Sequence, residues 1–339
     1  MRSALKIFLI STFFFLPSML FAGDDTPLVV AGNTIIADIA KQLAGDKANI
    51  VSLVPIGMDP HNFDPSPADI RLTSEADLIL VNGMNLENWM VNLIRKTGSP
   101  AKIDTVTKGI QPIFTGRFSV QVDPHAWLDP VLGKTYARNI ANSLSDLLPN
   151  HEETIQFNLM VFLDLLEEVH QYSQKKLQKI PKNKRLLITS HDAFRYFGER
   201  YDIPVKSVLA SSPDAELTVK DMIELTEMIK SSDVRAIFPE STINPKLVNQ
   251  IARDNKLIVG GKLYTDSLSD PEKGAGNYIQ MLYHNVNTIV AALSGEKPKA
   301  EFSIWKSDFG DTLMSLGILV FLAACFLWMW FNVKTQHGG

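Results

Sequence analysis

Residues 151–180 read HEETIQFNLMVFLDLLEEVHQYSQKKLQKI, with no glycine or proline. Acidic residues occur at the start of this stretch and lysines near its end, which is the charge order that a helix dipole favours. At about 1.5 Å per residue, such a helix would extend for about 45 Å, more than the width of a small domain. The stretch therefore predicts one long helix that joins two halves of the chain.

Short apolar runs alternate with helical patterns on both sides of this helix. Before it, LVVAGN at 28–33 and DLILVNG at 77–83 are each followed by an amphipathic stretch that ends at a glycine. After it, the alternation restarts with RLLITSH at 185–191 and continues to KLIVGG at 256–261. Strand–helix alternation of this kind predicts an α/β fold, here two α/β lobes with parallel sheets joined by one long rigid helix.

The composition is that of an ordinary globular protein. The chain has 339 residues, of which 45% are hydrophobic and 21% charged, and its formal net charge is −4. This length allows two domains of about 100–150 residues each. The weak acidity and the lack of any block of like charges argue against nucleic-acid binding.

The N-terminus has the features of a secretory signal sequence. Arg2 and Lys6 precede the apolar run at 7–20, and Ala22 offers a small residue at a possible cleavage site. An uncleaved N-terminal anchor is the alternative interpretation. The pattern predicts that the protein is exported.

Near the C-terminus, Thr312–Val333 contains no charged residue. About 20 apolar residues are enough to span a membrane, so the stretch predicts a transmembrane helix; a buried core helix is the alternative. The only cysteine, Cys325, lies inside this stretch, so the chain cannot form an internal disulfide. We expect a binding domain at the periplasmic face that is anchored to the inner membrane by its C-terminal helix. The predicted segments are a signal peptide (1–22), an N-terminal lobe (24–149), a linking helix (150–181), a C-terminal lobe (182–299), a linker (300–311), a transmembrane helix (312–333) and a cytoplasmic tail (334–339).

Three of the seven histidines share a distinctive position. His61, His125 and His191 each follow a strand-like run and precede a turn or a helix. Ligands of open α/β sheets bind at the carboxyl ends of the strands, where these residues would lie. The other four histidines fall in helices or in the C-terminal tail, where surface or satisfied core positions explain them.

The triplet Asp-Pro-His occurs twice, at 59–61 and 123–125. The proline restricts the preceding aspartate to an extended conformation, and that aspartate could orient the imidazole through a hydrogen bond. Neutral imidazole is a ligand of zinc, copper, iron and nickel. Asp266, in the YTDS stretch after the strand-like KLIVGG run, could complete the ligand set, although a turn or helix-cap role is the alternative. Glu240 also falls at a predicted strand end that faces the cleft.

These stretches resemble the metal-binding solute-binding proteins of bacterial ABC importers, the zinc/manganese/iron type. The resemblance covers Leu28 to Gly295 and rests on GMDPHNFDPSPADI, ADLILVNGMNLENW, DPHAWLDP, TSHDAFRYFGERY, FPESTINPK and LYTDSLS. It implies two lobes, one long helix and a metal ion buried between the lobes. By motif, the implied ligands are His61, His125, His191 and Asp266.

The resemblance also bears on the metal and the partners. Manganese-selective members usually have glutamate at the third ligand position, where this chain has His191. Zinc-type members often have a long histidine- and acid-rich loop before the second histidine, and here GRFSVQV at 116–122 is short. We therefore favour Zn²⁺, with Mn²⁺ or Fe²⁺ as alternatives, and expect an ABC permease and its ATPase subunit as partners of a monomeric binding domain. Many relatives have a lipid on an N-terminal cysteine, which this chain lacks.

Other classes of function fit less well. A zinc hydrolase needs an open coordination position and a general base, and the chain contains no HExxH motif. A surface adhesin with a structural metal site is the main alternative, but no adhesive repeat supports it. We expect a receptor and not an enzyme, with metal affinity that falls below about pH 6.5 as the imidazoles are protonated.

Overall fold

The computed structural model describes residues 26–115, 121–209 and 219–295. The predicted signal sequence at 1–22 and the predicted transmembrane helix at 312–333 lie outside these residues. Within the part of the chain that is described, no helix is long and apolar enough to cross a membrane.

The first lobe is built on a four-stranded parallel sheet with the order β2-β1-β3-β4. A separate pair of strands, β5 and β6, forms an antiparallel hairpin. The elements of this lobe are β1 (Leu28–Ala31), α1 (Thr34–Ala44), β2 (Asn49–Ser52), α2 (Pro67–Glu75), β3 (Leu78–Val81), α3 (Asn88–Thr97), β4 (Lys102–Thr105), β5 (Phe114–Thr115), β6 (Gln121–Val122) and α4 (Pro130–Leu147).

Local sequence signals fix where the helices of this lobe begin. Asn33 caps α1 by accepting hydrogen bonds from two backbone N–H groups of its first turn. Ser66 and Asp69 form a reciprocal capping box at the start of α2, with Pro67 in the first helical position. Asp129 caps α4 by accepting a hydrogen bond from the backbone N–H of Val131, just after Pro130. The Asp-Pro pair that follows His125 is therefore a helix start.

The long helix α5 (Glu152–Leu177) follows a single 3₁₀ turn at Pro149–His151. Its 26 residues correspond to about 39 Å, somewhat less than the sequence predicted. The helix packs against α1, α4 and α9 (Tyr278–Ser294), the last helix among the described residues. Its buried residues recur every three or four positions, which defines one buried face: Ile155, Leu159, Phe162, Leu166, Val169, Ser173 and Leu177.

The second lobe repeats the strand–helix alternation with shorter strands. Parallel pairs β7–β8 and β9–β10 are joined by a bridge between Thr189 and Phe238, and a further parallel bridge links Glu240 to Leu263. Its elements are β7 (Leu187–Thr189), α6 (Arg195–Tyr201), β8 (Val205–Ser207), α7 (Val219–Ser231), β9 (Ala236–Ile237), α8 (Lys246–Asp254), β10 (Ile258–Val259) and α9 (Tyr278–Ser294).

The two lobes share their largest hydrophobic cluster. It contains Ile36 of α1 and Ile140 of α4 together with Phe162 of α5, and it continues to Leu187 of β7 and Ile289 of α9. Separation of the lobes would expose part of this apolar surface to water, at about 25 cal/mol per Å². The shared cluster therefore restrains the lobes as well as supporting each of them.

The predicted alternation of elements agrees with the structure, with two differences. Strand β4 was not predicted, because it is only four residues long and its side chains are mostly exposed. The run before His125 was expected to be a strand of a parallel sheet, but its described part, β6, belongs to the antiparallel hairpin. The segment still meets the carboxyl end of the main sheet, because Asn82, which follows β3, donates a hydrogen bond to the carbonyl of Pro124.

Candidate metal centre

The structure brings together all four residues that the sequence predicted as ligands. One ligand atom from each of His61, His125, His191 and Asp266 can be chosen so that all lie within 4.8 Å of one another. His125, His191 and Asp266 are fully buried, whereas His61 is only half-buried. His61 and His125 come from the first lobe, and His191 and Asp266 from the second.

The separations between these atoms match the size of a small divalent ion. His125 Nε2 lies 3.1 Å from His61 Nε2 and 3.2 Å from His191 Nε2. The Asp266 oxygens Oδ1 and Oδ2 lie 3.3 Å from His125 Nε2 and 3.4 Å from His191 Nε2, respectively. A tetrahedron with metal–ligand bonds of about 2.0–2.1 Å has edges of about 3.3 Å. These four separations are close to this edge length and the whole set lies within 4.8 Å, so the four side chains could hold a small divalent ion.

His125 is held in place by groups from both lobes. The Asp123 oxygen Oδ1 accepts hydrogen bonds from the backbone N–H of His125 (2.9 Å) and from its ring Nδ1 (2.7 Å). Asn82 Nδ2 donates to the carbonyl of Pro124 (3.1 Å), and Tyr196 of the second lobe donates to the carbonyl of Asp123 (2.9 Å). The bond at Nδ1 leaves Nε2 as the nitrogen that faces the site.

His191 has an equivalent partner in Glu240. The Glu240 oxygen Oε1 accepts a hydrogen bond from the backbone N–H of His191 (2.9 Å), and its Oε2 lies 2.5 Å from the ring Nδ1. Glu240 is itself fixed by its backbone N–H, which donates to Ser190 Oγ (3.1 Å). The carboxylate lies behind the imidazole, where it is placed to orient the ring and not to bind the ion directly.

His61 lies on a loop with fewer restraints. The Asp59 carboxylate accepts a hydrogen bond from the backbone N–H of His61 (2.8 Å). Trp89 Nε1 donates to the carbonyl of the proline before His61 (2.8 Å). The loop is joined to the second lobe by a hydrogen bond from the Gly57 N–H to Ser267 Oγ (2.7 Å), next to Asp266. His61 is thus the most accessible of the four residues.

Two threonine hydroxyls hold the Asp266 carboxylate. Thr242 and Thr265 each donate a hydrogen bond to its Oδ2 atom, over 3.1 and 3.0 Å. No donor hydrogen-bonds to its Oδ1 atom among the residues described. The carbonyl of Thr265 accepts a hydrogen bond from Trp127 Nε1 of the first lobe (2.7 Å), which ties the segment around His125 to the segment around Asp266.

Burial and neighbouring charges give the three imidazoles different protonation states when no metal ion is bound. Burial, with the charge of His125 nearby, lowers the pKa of His61 to about 3. Burial also opposes the charged form of His125, but the carboxylates at its two ring nitrogens outweigh burial and raise its pKa to about 9. Glu240 and Asp266 likewise overcome burial and raise the pKa of His191 well above its usual value.

Asp266 shows the opposite shift. Burial favours its protonated form, but the neighbouring imidazoles His191 and His125 hold its pKa well below the usual range for a carboxyl group. In the metal-free protein these shifts favour an ionised Asp266 that faces protonated imidazoles at His125 and His191, and an imidazole must lose that proton to bind a metal ion.

The sequence predicted a hydrogen bond between Asp123 and the imidazole of His125, but it did not predict the hydrogen-bond partners of Asp266. Thr265 precedes Asp266 directly and could have been noticed, because a hydroxyl beside a ligand carboxylate commonly orients it. Thr242 and Tyr196 reach the site from other elements, and no local signal identifies them.

Three inward-facing imidazoles and one carboxylate, located between two α/β lobes, form a site that could hold a divalent metal ion. Residues 29–292 match the family described as ZnuA, the periplasmic component A of a zinc-uptake complex. The chain belongs to this family.

Relatives with a named substrate agree with this assignment. The manganese ABC transporter substrate-binding lipoprotein PsaA of Streptococcus pneumoniae is 35% identical over 274 residues, which cover 78% of this chain and 89% of that protein. The periplasmic zinc binding protein TroA of Treponema pallidum aligns with a TM-score of 0.75 at 32% identity, over 79% of this chain and 99% of that one. A manganese-bound periplasmic metal binding protein of Candidatus Liberibacter asiaticus aligns with a TM-score of 0.73 at 28% identity, over the same shares. The comparison with TroA supports the α/β fold with parallel sheet and long helix.

Proposed function

We propose that this protein is an extracytoplasmic receptor that captures a divalent transition metal between its two lobes and delivers it to an ABC permease for import. The convergence of three imidazole Nε2 atoms and the Asp266 carboxylate within 4.8 Å carries the proposal. The named relatives are substrate-binding proteins of metal ABC transporters or periplasmic metal binding proteins, which supports the same function. The transported ion is the substrate, and the proposal includes no catalytic step.

Zn²⁺ is the favoured substrate, with Mn²⁺ and Fe²⁺ as alternatives. Imidazole nitrogen suits the later transition metals, whereas Ca²⁺ and Mg²⁺ prefer shells made only of oxygen. The relatives do not decide between the metals, because one is named for manganese and another for zinc. The three imidazole nitrogens favour zinc, because manganese suits carboxylate, carbonyl and water ligands better.

The bound ion would join the two lobes, since each lobe provides two of its ligands. The ion would enter beside His61, which is the accessible ligand. The loop that carries His61 contacts the second lobe through the Gly57–Ser267 hydrogen bond. Release would then require the permease to separate the lobes slightly or to displace the His61 loop. His125 is a poor candidate for displacement, since buried contacts hold it on several sides.

Export and attachment follow from the two ends of the chain. We propose that residues 1–22 act as a signal peptide and that 312–333 anchor the protein to the inner membrane, with the binding lobes at 24–149 and 182–299. The relative PsaA is named a lipoprotein, whereas the only cysteine of this chain is Cys325, inside the proposed anchor. A C-terminal helix would thus take the place of a lipid. An ABC permease and its ATPase subunit are the proposed partners.

Metal titration of the full chain in detergent tests the proposal. The protein is stripped of metal and titrated with Zn²⁺ and Mn²⁺ by calorimetry, beside His191→Ala and the control His151→Ala, whose histidine lies outside the site. We expect tight zinc binding by the wild type and the control, and a loss of more than about 100-fold in His191→Ala, because removal of a ligand costs more than removal of its supporting group.

Absence of binding by the wild type would contradict the proposal and favour an adhesive role. A strain without the gene separates the two functions further: a receptor for import predicts poor growth in metal-depleted medium that added zinc restores. Unchanged growth would argue against import.

A further inference from the structure

The two oxygens of the Asp266 carboxylate have different surroundings. Oδ2 accepts hydrogen bonds from the hydroxyls of Thr242 and Thr265, over 3.1 and 3.0 Å. Oδ1 is buried and accepts no hydrogen bond from any described residue. Its polar neighbour in the metal-free protein is His125 Nε2, at 3.3 Å. Once that nitrogen binds a metal ion it is no longer available to Oδ1, which then needs another partner, since buried polar atoms are almost always paired.

Distance alone does not determine which oxygen binds the ion. Oδ1 lies 3.3 Å from His125 Nε2, and Oδ2 lies 3.4 Å from His191 Nε2, so both oxygens border the site. An ionised carboxylate has about four lone-pair positions, two on each oxygen. The two threonine hydroxyls use the positions of Oδ2, and those of Oδ1 remain available.

We propose that Thr242 and Thr265 restrict Asp266 to binding the metal through Oδ1 alone, and that this restriction makes the site select zinc over manganese. The inference rests on the proposed function of the site. The two hydroxyls act as positioning groups for a ligand and do not bind the metal themselves.

Coordination number links this hydrogen bonding to selectivity. With one oxygen from Asp266 and one nitrogen from each histidine, the protein provides four ligands, which is the number that zinc prefers in closed protein sites. Manganese favours more ligands, chiefly oxygens, and binds more weakly than zinc to a given set of nitrogen donors. A second oxygen from Asp266 would raise the coordination number to five and reduce the disadvantage of manganese.

The experiment removes the hydroxyls without changing the side-chain volume. The full chain carrying Thr242→Val and Thr265→Val is compared with the wild type for its dissociation constants for Zn²⁺ and Mn²⁺. Each protein is also loaded with Co²⁺, whose visible absorption is strong in four-coordinate sites and much weaker in five-coordinate ones. We expect a four-coordinate spectrum for the wild type and a five-coordinate spectrum for the double variant.

The affinity ratio is the second measurement. We expect the preference for zinc over manganese to fall by about tenfold in the double variant, in the range of supporting-group effects on metal sites. The double variant Thr242→Ser and Thr265→Ser keeps both hydroxyls and should behave like the wild type. Thr73→Val removes a buried hydroxyl that bonds within α2, outside the site, and controls for the loss of any threonine hydroxyl.

The outcomes separate this inference from the proposed function. Metal binding with an unchanged zinc-to-manganese ratio, or a five-coordinate spectrum in the wild type, overturns the inference and leaves the receptor function intact. Absence of metal binding by the wild type overturns both. If the double valine variant fails to fold, the same ratio measured in each single valine variant decides, with an expected shift in the same direction.

Discussion

Calorimetric titration of zinc at pH 7, in buffers with different ionisation enthalpies, measures how many protons the ion displaces. Two of the three site imidazoles have a raised pKa without metal: that of His125 is about 9 and that of His191 is well above its usual value. The pKa of His61 is about 3, so this ring is already neutral. A ligand imidazole must be neutral, and we expect the release of about two protons for each zinc ion bound.

The charges of the buried groups explain why this exchange is favourable. Three carboxylates border the imidazoles: Asp123 behind His125, Glu240 behind His191, and Asp266 between the two rings. With both rings protonated, two positive charges face three negative ones. Replacement of two protons by one divalent ion leaves this balance unchanged, and a buried site resists changes in net charge.

The same pKa values set the pH range of the effect. Below its pKa of about 9, His125 must lose a proton to bind zinc, so this residue alone should increase the apparent affinity about 50-fold between pH 7 and pH 9. The folded pKa of His125 is above its unfolded value. Its contribution to the stability of the metal-free protein is therefore complete below about pH 6.5 and is lost as the pH rises through about 9.

A binding enthalpy that does not depend on the buffer would refute this reasoning, because it would mean that both rings are neutral before zinc arrives. Asp123→Asn provides an internal comparison. Without the anionic partner of its Nδ1 atom, His125 should become neutral at pH 7, and the number of released protons should fall from about two to about one. An unchanged number in Asp123→Asn would assign the protons to other groups.

Three further predictions concern supporting residues. Glu240→Gln should weaken zinc binding by about 10- to 100-fold in a competition titration, because the carboxylate behind His191 is lost. Trp127→Phe should lower the free energy of unfolding by about 1–3 kcal/mol in a denaturant titration, since a buried carbonyl at Thr265 loses its donor. Burial raises the pKa of Glu87 to about 7. The stabilising contribution of Glu87 is complete below about pH 4.5 and is lost as the pH rises through about 7. Over this range the free energy of unfolding of the wild type should fall by about 3 kcal/mol more than that of Glu87→Gln. If the wild type and Glu87→Gln differed by the same free energy of unfolding at pH 5 and at pH 8, the last prediction would be wrong.

The sequence predicts the architecture well because its signals are periodic and local. Helix α5 has an uninterrupted pattern, and the apolar runs of β1, β3 and β7 are fully or mostly buried strands. Strand β4 carries no such signal, since its side chains are largely exposed. The hairpin strand β6 before His125 could not be distinguished from a sheet strand, because pairing direction depends on a distant partner.

In the metal centre, too, contacts between residues that are distant in sequence could not be predicted. The ligand residues occur in recognisable motifs, and the structure brings them together. Their supporting groups come from separate parts of the chain: Thr242 contacts Asp266 across 24 positions, and Tyr196 contacts Asp123 across 73. Such contacts follow from the packing of whole elements, which local sequence patterns do not encode. The hydrogen bonds that hold each ligand residue could therefore be identified only from the structure.

The 123–130 segment belongs to the first lobe along the chain, yet much of its surroundings comes from the second lobe. Trp127 donates to Thr265, Tyr278 donates to the carbonyl of Trp127, and Arg200 pairs with Asp129. A chain cut between α4 and α5 would leave this segment without those partners and with a fully buried tryptophan uncovered. The two fragments should consequently aggregate when produced separately and reassemble when produced together. If the protein were produced as two such fragments, recovery of metal binding would show that the fragments had associated.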